Sequence, residues 1–479
     1  MRERTISKLL RFGKLIVGAI VGPVSYIQPP PSEPKTLSLD TDDLEGFISK
    51  MRRIREVSEV APGGKYRHWD TLRHLTPPEG LSPEEWWVGV KLARSVILRE
   101  LPLRDAEGHP FFYAAPDEAQ SLLHYIDQRT SGEIAVSEVI EDEAARRHYL
   151  MNSVMEEAIR SSQLEGARTS HVAAKAMIRS GREPTDKSER MILNNFRAMR
   201  FIREDRSSRL TPRLICELQR IVTEGTLENP DAAGRIQSPD EDRIGVWEGD
   251  VLVHQPPPAE QLPERMERMC RFANKELDVE GFLHPVVRAV LLHFWLAYDH
   301  PFEDGNGRTA RALFYWYMRK ENYWLTEFLS ISKIFRDAPS QYGDSFLYTE
   351  TDERDTTYFI LYHLEVIRRA VEELHKYLTR KMQEVREFED SIGRSNDLNY
   401  RQLEILRDAV RRSAGRYTFK SHSRSHSVSF GTARADLLDL QNRGLLFRRR
   451  SGREYVFSPA PDLAQRLRGD MPGAKPASD

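Results

Sequence analysis

Cysteine is scarce in this sequence: Cys216 and Cys270 are the only two among 479 residues. Two cysteines provide neither a disulfide framework nor a cluster of thiolate metal ligands. This composition is typical of a reducing compartment, and we therefore expect a cytoplasmic protein. No tandem repeat stands out.

An excess of one charge is also missing, since 71 Lys and Arg residues face 73 Asp and Glu residues. The whole chain therefore lacks the basic character typical of nucleic-acid-binding proteins, although one segment can still have it. Apolar residues make up 39% of the chain and charged residues 30%, which indicates a globular rather than a disordered protein. A chain of 479 residues is too long for one core, and we expect about two to four domains.

Long apolar runs are absent as well. The best candidate for a signal or membrane segment is LIVGAIVGPV at 15–24. It follows several basic residues, and this order resembles that of a signal peptide. The run is too short to span a bilayer as a helix, and no A-x-A-like cleavage site follows it. We therefore expect residues 1–40 to form a dispensable or interfacial tail and linker, and we do not expect a membrane partner.

Helix signals recur along most of the chain. The stretch Ser82–Glu85 has serine at the N-cap, proline at the first helical position and acids in the first turn. Helices are also predicted over 141–164, over SERMILNNFRAMRFIRE and from Pro212. Apolar residues spaced by three and four predict a long helix from Ile360 to Val385. This helix could pack on the main domain, form a dimer seam or act as a lever to the next domain.

Two segments depart from the helical pattern. Residues 66–131 are rich in aromatic side chains and, apart from the helix near Ser82, predict irregular structure. Residues 233–258 contain short β-type runs split by Gly and Asp, which predict a hairpin or flap. The run 286–298 is apolar almost all round and predicts a central buried helix, and we expect the next helix to begin at Thr309. The predicted fold class is mainly α.

The last part of the chain is locally basic. Between Tyr400 and Ser458 there are 13 Lys and Arg residues and 5 Asp and Glu residues. A helix over YRQLEILRDAVRR, a second that includes Thr432–Leu437 and a hairpin with Arg448–Arg453 at its turn predict a winged helix-turn-helix domain. Such a domain could contact DNA through its basic face, or present that face to solvent while it contacts a protein.

The stretch His300–Arg311, HPFEDGNGRTAR, concentrates polar residues directly after the apolar run. Its Gly-Asn-Gly lets the backbone approach a ligand and point several N–H groups one way. Because this bend opens a helix, the positive end of the helix dipole faces the same place and favours an anion. Arg308 and Arg311 lie three positions apart on one helix face and extend the anion site.

The same stretch carries groups suited to proton transfer and metal binding. Asp304 offers one hard oxygen ligand, and one carboxylate with substrate phosphates is the usual way to hold Mg²⁺. A neutral His300 imidazole can take a proton from a hydroxyl nucleophile, while Phe302 is expected to anchor the loop. Since neither a Walker A loop nor a G-x-S-x-G elbow is present, the pattern predicts transfer of part of a nucleoside triphosphate onto a hydroxyl.

HPFEDGNGRTAR resembles the Fic motif H-x-F-x-[DE]-G-N-G-R-x-x-R at every defined position, and HPVVRAVLLHFWLAYDH resembles the helix before it. The resemblance covers about residues 150–390. It implies a helical core with a β-hairpin flap, and transfer of AMP from ATP to a Ser, Thr or Tyr hydroxyl of a protein, with pyrophosphate released. We therefore expect a protein adenylyltransferase that uses ATP and Mg²⁺. UMP, phosphate and phosphocholine transfers in the family usually accompany a changed motif or substrate pose, so the intact motif favours AMP.

The resemblance also implies a role for each residue of the site. His300 would be the general base, Asp304 the Mg²⁺ ligand and Arg311 the group that holds the γ-phosphate. The other residues expected around the nucleotide are Gly305, Asn306, Gly307, Arg308 and Thr309 in the motif, Val246, Trp247, Glu248 and Gly249 in the flap, and Tyr342 near the nucleoside.

A second motif lies in SSQLEG at 161–166. Its S-x-x-E fits a capping box, but a helix that began there would meet Gly166 at once, and the preceding residues already continue a helix. Glu165 is therefore expected near a helix end. The stretch resembles the Fic inhibitory motif [ST]-x-x-x-E-[GN], with Ser161 and Glu165 in its defined positions. The resemblance implies that Glu165 pairs with Arg311 and misaligns the phosphates of ATP.

These expectations define a domain plan and leave alternatives open. The reverse reaction, with Glu165 orienting water to remove AMP, is one alternative, and a DNA-binding regulator with a nucleotide-sensing core is another. Expected partners are a protein with a target hydroxyl, DNA and a second copy of the chain. The predicted regions are a tail at 1–40, an accessory region at 41–135, an inhibitory helix region at 136–190, a Fic catalytic domain at 191–392, a winged-helix-like domain at 393–465 and a tail at 466–479.

Overall fold

The structure, a computed structural model, describes residues 30, 44–130, 143–205, 209–248, 251–393, 398–411, 415–451, 454–463 and 466. The chain divides into a larger unit within 1–132 and 152–371 and a smaller unit within 133–151 and 372–479. The apolar run at 15–24 lies outside the described residues, and the domain boundaries stay predictions. No helix in the described part of the chain combines the length and hydropathy needed to span a bilayer.

Helices dominate the described residues, which confirms the prediction of a mainly α fold. The first helices are α1 Leu44–Glu56, α2 Trp69–Leu72, α3 Pro83–Ser95, α4 Asp117–Thr130, α5 Glu143–Leu164, α6 His171–Ser180, α7 Lys187–Glu204, α8 Pro212–Thr223 and α9 Leu262–Ala273. They are followed by α10 Pro285–Asp299, α11 Asn306–Lys320, α12 Ile331–Asp337, α13 Pro339–Thr351, α14 Thr357–Gly393, α15 Tyr400–Arg411, α16 Phe419–Ser425 and α17 Phe430–Asn442. Three antiparallel hairpins pair β1 Arg99–Arg104 with β2 Pro110–Tyr113, β3 Val246–Glu248 with β4 Val251–His254, and β5 Leu446–Ser451 with β6 Glu454–Pro459.

Helix α10 lies in the core of the larger unit, as the apolar run predicts. Phe294 and Leu296 are fully buried, and Trp295 is 1% exposed. Pro285 opens the helix, and His284 caps it by accepting the backbone N–H of Val286. The next helix, α11, is equally buried along most of its length, so the turn between the two helices is held firmly from both sides.

Residues 66–131 are more regular than the sequence predicts, because they contain α2, α3, β1, β2 and α4. Trp69, Trp86 and Trp87 pack together with Leu72 and Val90 in one buried cluster. These side chains come from two short helices, so their spacing along the chain follows no single period. The prediction of an irregular segment was wrong because tertiary packing, rather than periodicity, orders it.

The flap and the long helix appear where the sequence predicts them. In the flap hairpin Val246 pairs with His254 and Trp247 with Leu252. Helix α14 is a single helix of 37 residues. Its first half packs within the larger unit, with the side chains of 360, 364, 367 and 371 buried. The dimer seam stays a prediction.

The smaller unit has its own core. Three helices, α15 to α17, precede the β5–β6 hairpin, and Tyr417 pairs with Phe457 beside that hairpin. Leu406, Leu437 and Leu440 contribute to a buried cluster with Phe457. These apolar side chains therefore hold the helices and the hairpin of the smaller unit together.

Candidate active site

The candidate site is built on the turn between α10 and α11. His300 ends α10 in the left-handed region, with φ 44°, and its backbone N–H still donates to Leu296 at 3.0 Å. Gly305 has φ 84° and caps α11, which begins at Asn306. The prediction that this helix begins at Thr309 was wrong by three residues, because the left-handed glycine lets the chain enter the helix immediately.

Side chains hold this turn in one shape. The Asn306 side chain accepts the N–H of Phe302 at 3.0 Å and donates to the Phe302 carbonyl at 2.8 Å. The Phe302 ring is fully buried, as the sequence predicts. The Gln219 amide donates to the Asp304 carbonyl at 2.9 Å. The backbone N–H groups in the first turn of α11 therefore have a fixed direction, as an anion site requires.

His300 is uncharged at neutral pH. Burial, together with the positive charges of His254 and Arg243, lowers its pKa to about 4. A neutral imidazole carries a proton on one ring nitrogen and a lone pair on the other. The residue can therefore accept a proton from a nearby hydroxyl.

His254, at the end of strand β4, fastens the flap beside His300. One ring nitrogen lies 2.9 Å from a Glu350 carboxylate oxygen and the other 2.7 Å from the Tyr298 carbonyl. Although burial lowers the pKa of His254, its hydrogen bond and charge interaction with Glu350 raise it overall. The flap is thus attached to the end of α10 at Tyr298, two residues before His300.

The two carboxylate oxygens of Asp304 differ in their hydrogen bonds. Its Oδ1 accepts the N–H of Gly305 and, at 3.2 Å, a guanidinium N–H of Arg308. Among the described residues no hydrogen bond to Oδ2 is found. A single carboxylate oxygen beside an anion site fits the way proteins hold Mg²⁺ with substrate phosphates.

The two arginines of the motif have different surroundings. Arg308 is fully buried and donates to the Val222 carbonyl at 2.7 Å as well as to Asp304. Arg311 instead meets the end of α5: its Nε donates to the Ser161 hydroxyl at 2.8 Å and its Nη2 to Glu165 Oε1 at 2.8 Å. The structure therefore brings together the three residues that the inhibitory resemblance pairs.

Glu165 also occupies the mouth of the anion site. A Cβ placed on Gly307 would lie 2.2 Å from Glu165 Oε1, a distance that real side chains do not show. The carboxylate thus rests directly against the first turn of α11. Helix α5 ends at Leu164 and Gly166 has φ 89°, which places Glu165 just past a helix end. Glu165 and a phosphate on this turn would compete for the space beside Gly307 and for the same guanidinium.

The remaining predicted residues lie at different depths. Thr309 is fully buried and its hydroxyl makes no hydrogen bond with the described residues. Trp247 is 46% exposed on the flap. The hydroxyl of Tyr342 lies 2.9 Å from Nε2 of His293, and burial raises the pKa of Tyr342 to about 12 although the charge of Arg311 lowers it. The Glu248 side chain and Gly249 lie outside the described residues, and the roles of all these residues stay predictions.

Two supporting residues were missed in the sequence. Arg243 donates to the carbonyls of Asp299 at 2.8 Å and of His300 at 3.2 Å, and so holds the end of α10. Its place in RIGVWEG, beside the predicted flap, was the only signal that could have suggested it. Gln219, which links the motif loop to α8, has no recognisable sequence signal.

Comparisons with known proteins agree with the motif. Residues 209–318 match the Fic/DOC family. A protein named Protein adenylyltransferase Fic from Drosophila grimshawi is 32% identical over 186 residues, which is 37% of this chain and 36% of that protein. One of the same name from Drosophila erecta is 31% identical over 201 residues, which is 40% of this chain and 37% of that protein. The chain thus spans little more than a third of the length of these relatives.

Solved structures similar to this chain are also described as Fic proteins. A Fic family protein from Desulfovibrio desulfuricans is 18% identical, with a TM-score of 0.49, over 72% of this chain and 96% of that chain. Fic-1 from C. elegans is 20% identical, with a TM-score of 0.41, over 53% of this chain and 69% of that chain.

Proposed function

We propose that this protein is a self-inhibited protein adenylyltransferase, which transfers AMP from ATP to a Ser, Thr or Tyr hydroxyl of a target protein. The observation that carries the proposal is the turn between α10 and α11. It combines a neutral His300, a helix N-terminus with Gly307 in its first turn, and the Arg311 guanidinium. The match of 209–318 to the Fic/DOC family supports the same chemistry.

The chemical step uses groups that are already oriented. The target hydroxyl attacks the α-phosphorus of ATP, a new O–P bond forms, and the bond to the bridging oxygen of the leaving pyrophosphate breaks. His300 accepts the hydroxyl proton on the ring nitrogen that carries the lone pair. Asp304 would hold Mg²⁺, which neutralises phosphate charge when bound. Positioning by the turn and by Arg311 supplies most of the catalysis in this kind of transfer.

Inhibition follows from the position of Glu165. Its carboxylate takes the Arg311 guanidinium and rests on Gly307, where a γ-phosphate would bind. ATP then binds with its phosphates out of line, and the α-phosphorus is not presented to the target hydroxyl. Displacement of Glu165 frees the Arg311 guanidinium and the space beside Gly307 at the same time.

The decisive experiment compares Glu165→Gly with the wild-type protein in the presence of labelled ATP and Mg²⁺. We expect strongly increased label on the protein, or on proteins of a cell lysate. Glu280→Gly, an equivalent change at an exposed loop position, serves as the control and should behave as wild type. ATP binding without any transfer of label from a folded Glu165→Gly protein would contradict the proposal and favour a nucleotide-sensing regulator.

The reverse reaction uses the same residues in other roles. Because Glu165 lies at the phosphate site, it could orient a water molecule toward an AMP-modified side chain. Protein labelled by the Glu165→Gly variant provides the substrate for a test. Release of AMP by the wild type, and not by Glu165→Gln, would assign this activity to Glu165.

DNA contact by the smaller unit is a second candidate function. Its basic residues Lys420, Arg424 and Arg434 are exposed on α16 and α17, and Arg448–Arg450 are exposed on β5. We expect retention of duplex DNA that weakens steeply with salt, because phosphate contacts release counterions. Replacing Arg448–Arg450 with glutamine should reduce the salt dependence, and an unchanged dependence would contradict contact by the hairpin.

A further inference from the structure

A pocket of about 350 Å³ lies beside the end of α5, within the larger unit. It is lined by Arg160 and Gln163 of α5, by residues 166–170, which follow Glu165 directly, and by the start of α6 and Arg336 on α12. No residue of the turn between α10 and α11 is part of this lining. The pocket is therefore distinct from the candidate active site, and its volume suits a small ligand.

The side chains around the pocket are strongly cationic. Its lining contains Arg160, Arg168, Arg336 and His171, and no Asp or Glu. Arg160 and His171 share one acid, since Arg160 Nε lies 2.8 Å from a Glu156 oxygen and His171 Nε2 contacts the other. For the side chains of Arg168 and Arg336, no hydrogen bond or ion pair is found among the described residues. Two such guanidinium groups at one pocket favour an anion, and their planar donors suit a phosphate.

Gln163 adds a buried acceptor to the same pocket. The residue is 4% exposed, and its Nε2 donates to the Thr169 carbonyl at 2.9 Å. Because a carbonyl can only accept, this bond determines which end of the amide is the nitrogen. No hydrogen bond to Oε1 is found among the described residues. A buried acceptor without a partner costs free energy, which a hydroxyl group of a ligand would recover.

We propose that this pocket binds a small phosphate monoester that also carries a hydroxyl group, and that its occupant strengthens the contact between Glu165 and Arg311. Arg168 and Arg336 hold the phosphate, and Gln163 accepts the hydroxyl hydrogen. The effect on the active site rests on the proposed inhibition by Glu165, whereas binding in the pocket does not depend on it.

The chain around Glu165 explains why the pocket and the active site are coupled. Glu165 lies between Gln163 and residues 166–170, which line the pocket on either side of it in sequence. The N–H of Gly166 donates to the Gln163 carbonyl at 3.2 Å, so the two parts of the lining form one tight turn. With the pocket formed in this way, Glu165 holds Arg311 at 2.8 Å. A ligand that binds this arrangement increases its population by mass action.

The first test measures binding by calorimetry, with the full-length wild-type protein and no nucleotide. Ribose 5-phosphate, inorganic phosphate and free ribose are the three probes. We expect ribose 5-phosphate to bind most tightly and ribose to give no binding. Arg168→Gln and Arg336→Gln should each weaken ribose 5-phosphate binding about tenfold, as expected for a lost hydrogen bond to a charged group.

Arg271→Gln provides the matched control, because Arg271 is exposed on α9 and does not line the pocket. It should bind ribose 5-phosphate as the wild type does. Thermal unfolding checks that each variant is folded. Equal affinity of the wild type, Arg168→Gln and Arg336→Gln for ribose 5-phosphate would overturn the site. Equal affinity for inorganic phosphate and ribose 5-phosphate would refute the hydroxyl contact with Gln163.

The second test measures transfer of label from ATP. At ten times its dissociation constant, ribose 5-phosphate should lower the basal transfer of the wild type by up to about tenfold. It should leave the transfer of Arg336→Gln nearly unchanged. The Glu165→Gly protein should still bind ribose 5-phosphate, but its transfer should not respond, because the carboxylate through which the pocket acts is missing.

The outcomes separate this site from the proposed function. If ribose 5-phosphate binds but wild-type transfer does not change, the coupling to Glu165 is wrong. If it inhibits Glu165→Gly as strongly as the wild type, it competes at the active site and the coupling is again wrong. A folded Glu165→Gly protein without any transfer would contradict the proposed function, while calorimetry would still decide whether the pocket binds a phosphate monoester.

Discussion

At the scale of residues, the two arginines of the motif have different hydrogen-bond partners, and we therefore expect different roles for them. Arg308 donates hydrogen bonds to the Val222 carbonyl and to Asp304. Its guanidinium therefore stabilises the shape of the loop. Arg311 instead contacts Ser161, in the last turn of α5, and Glu165, just beyond that helix. A guanidinium that already holds a carboxylate can hold a phosphate with the same geometry, so in the proposed mechanism inhibition and substrate binding compete at Arg311.

The protonation state of His300 leads to a prediction about pH. Because its pKa is lowered to about 4, the ring stays neutral as pH falls from 8 to about 5, and it is protonated only near pH 4. The initial rate of label transfer by Glu165→Gly should therefore be insensitive to His300 titration in that range and fall below it. His300→Ala in the same background should lose about 10²–10⁴ in rate. A midpoint near 6.5, the value of an unperturbed histidine, would contradict this assignment.

At the scale of elements, the end of α5 is held in place by more than the Arg311 contact. Glu157, one helical turn before Ser161, is buried, and its carboxylate accepts the Ser330 hydroxyl at 2.9 Å and the Ser332 N–H at 3.1 Å. Burial raises the pKa of this carboxyl group. These contacts fix the last turns of α5 against Ser330 and Ser332, independently of the ion pair between Glu165 and Arg311.

The turn between α10 and α11 depends on Gly305. Its φ of 84° is unfavourable for other residues, and a Cβ there would lie 2.8 Å from Cγ2 of Thr223 and 3.1 Å from Cγ2 of Val222. We expect Gly305→Ala to lower the free energy of unfolding by about 1–3 kcal/mol and to abolish transfer in the Glu165→Gly background. Urea denaturation measures the first effect and label transfer the second.

Gly343 provides the matched control for this substitution. It lies within α13, and a Cβ there would meet nothing within 4 Å. Gly343→Ala should therefore stabilise the protein by about 0.5–1 kcal/mol, since glycine is unfavourable inside a helix. If both substitutions changed stability equally, the special role of Gly305 would be refuted.

At the scale of the whole molecule, charge is distributed unevenly although it nearly cancels. The formal net charge of the chain is −2, while 400–458 alone has 13 basic and 5 acidic residues. Most acids of that segment are engaged within it. Asp436, for example, accepts hydrogen bonds from Asn399, Arg401 and His422. The exposed basic side chains therefore dominate the electrostatic potential around residues 400–458.

The separate core of the smaller unit predicts independent folding. A fragment of residues 394–479 should unfold cooperatively on heating, because the buried cluster around Leu406 and Phe457 lies wholly within it. Asp436→Ala should lower its midpoint temperature, since three donors lose their acceptor. Far-UV circular dichroism during heating is the measurement, and a broad, non-cooperative transition would contradict the prediction.

Much of the site could be predicted from the sequence because its chemistry is local. His300, Asp304 and Arg311 lie within one turn and the helix after it, so their spacing along the chain already places them on one face of a short structure. The buried helix before them has a continuous apolar run, and Gly305 marks the bend. The end of α5 could be predicted for the same reason, since Gly166 follows a long helical pattern at once.

What only the tertiary structure decided are the contacts that join distant parts of the chain. Residues 66–131 are ordered by tryptophans that meet across two helices, and His293, Tyr342 and His363 meet from three helices far apart in sequence. Neither set of residues follows a period or spacing from which these contacts could be predicted. Hydrophobic burial brings such side chains together, and only then can the buried polar groups among them form hydrogen bonds with one another.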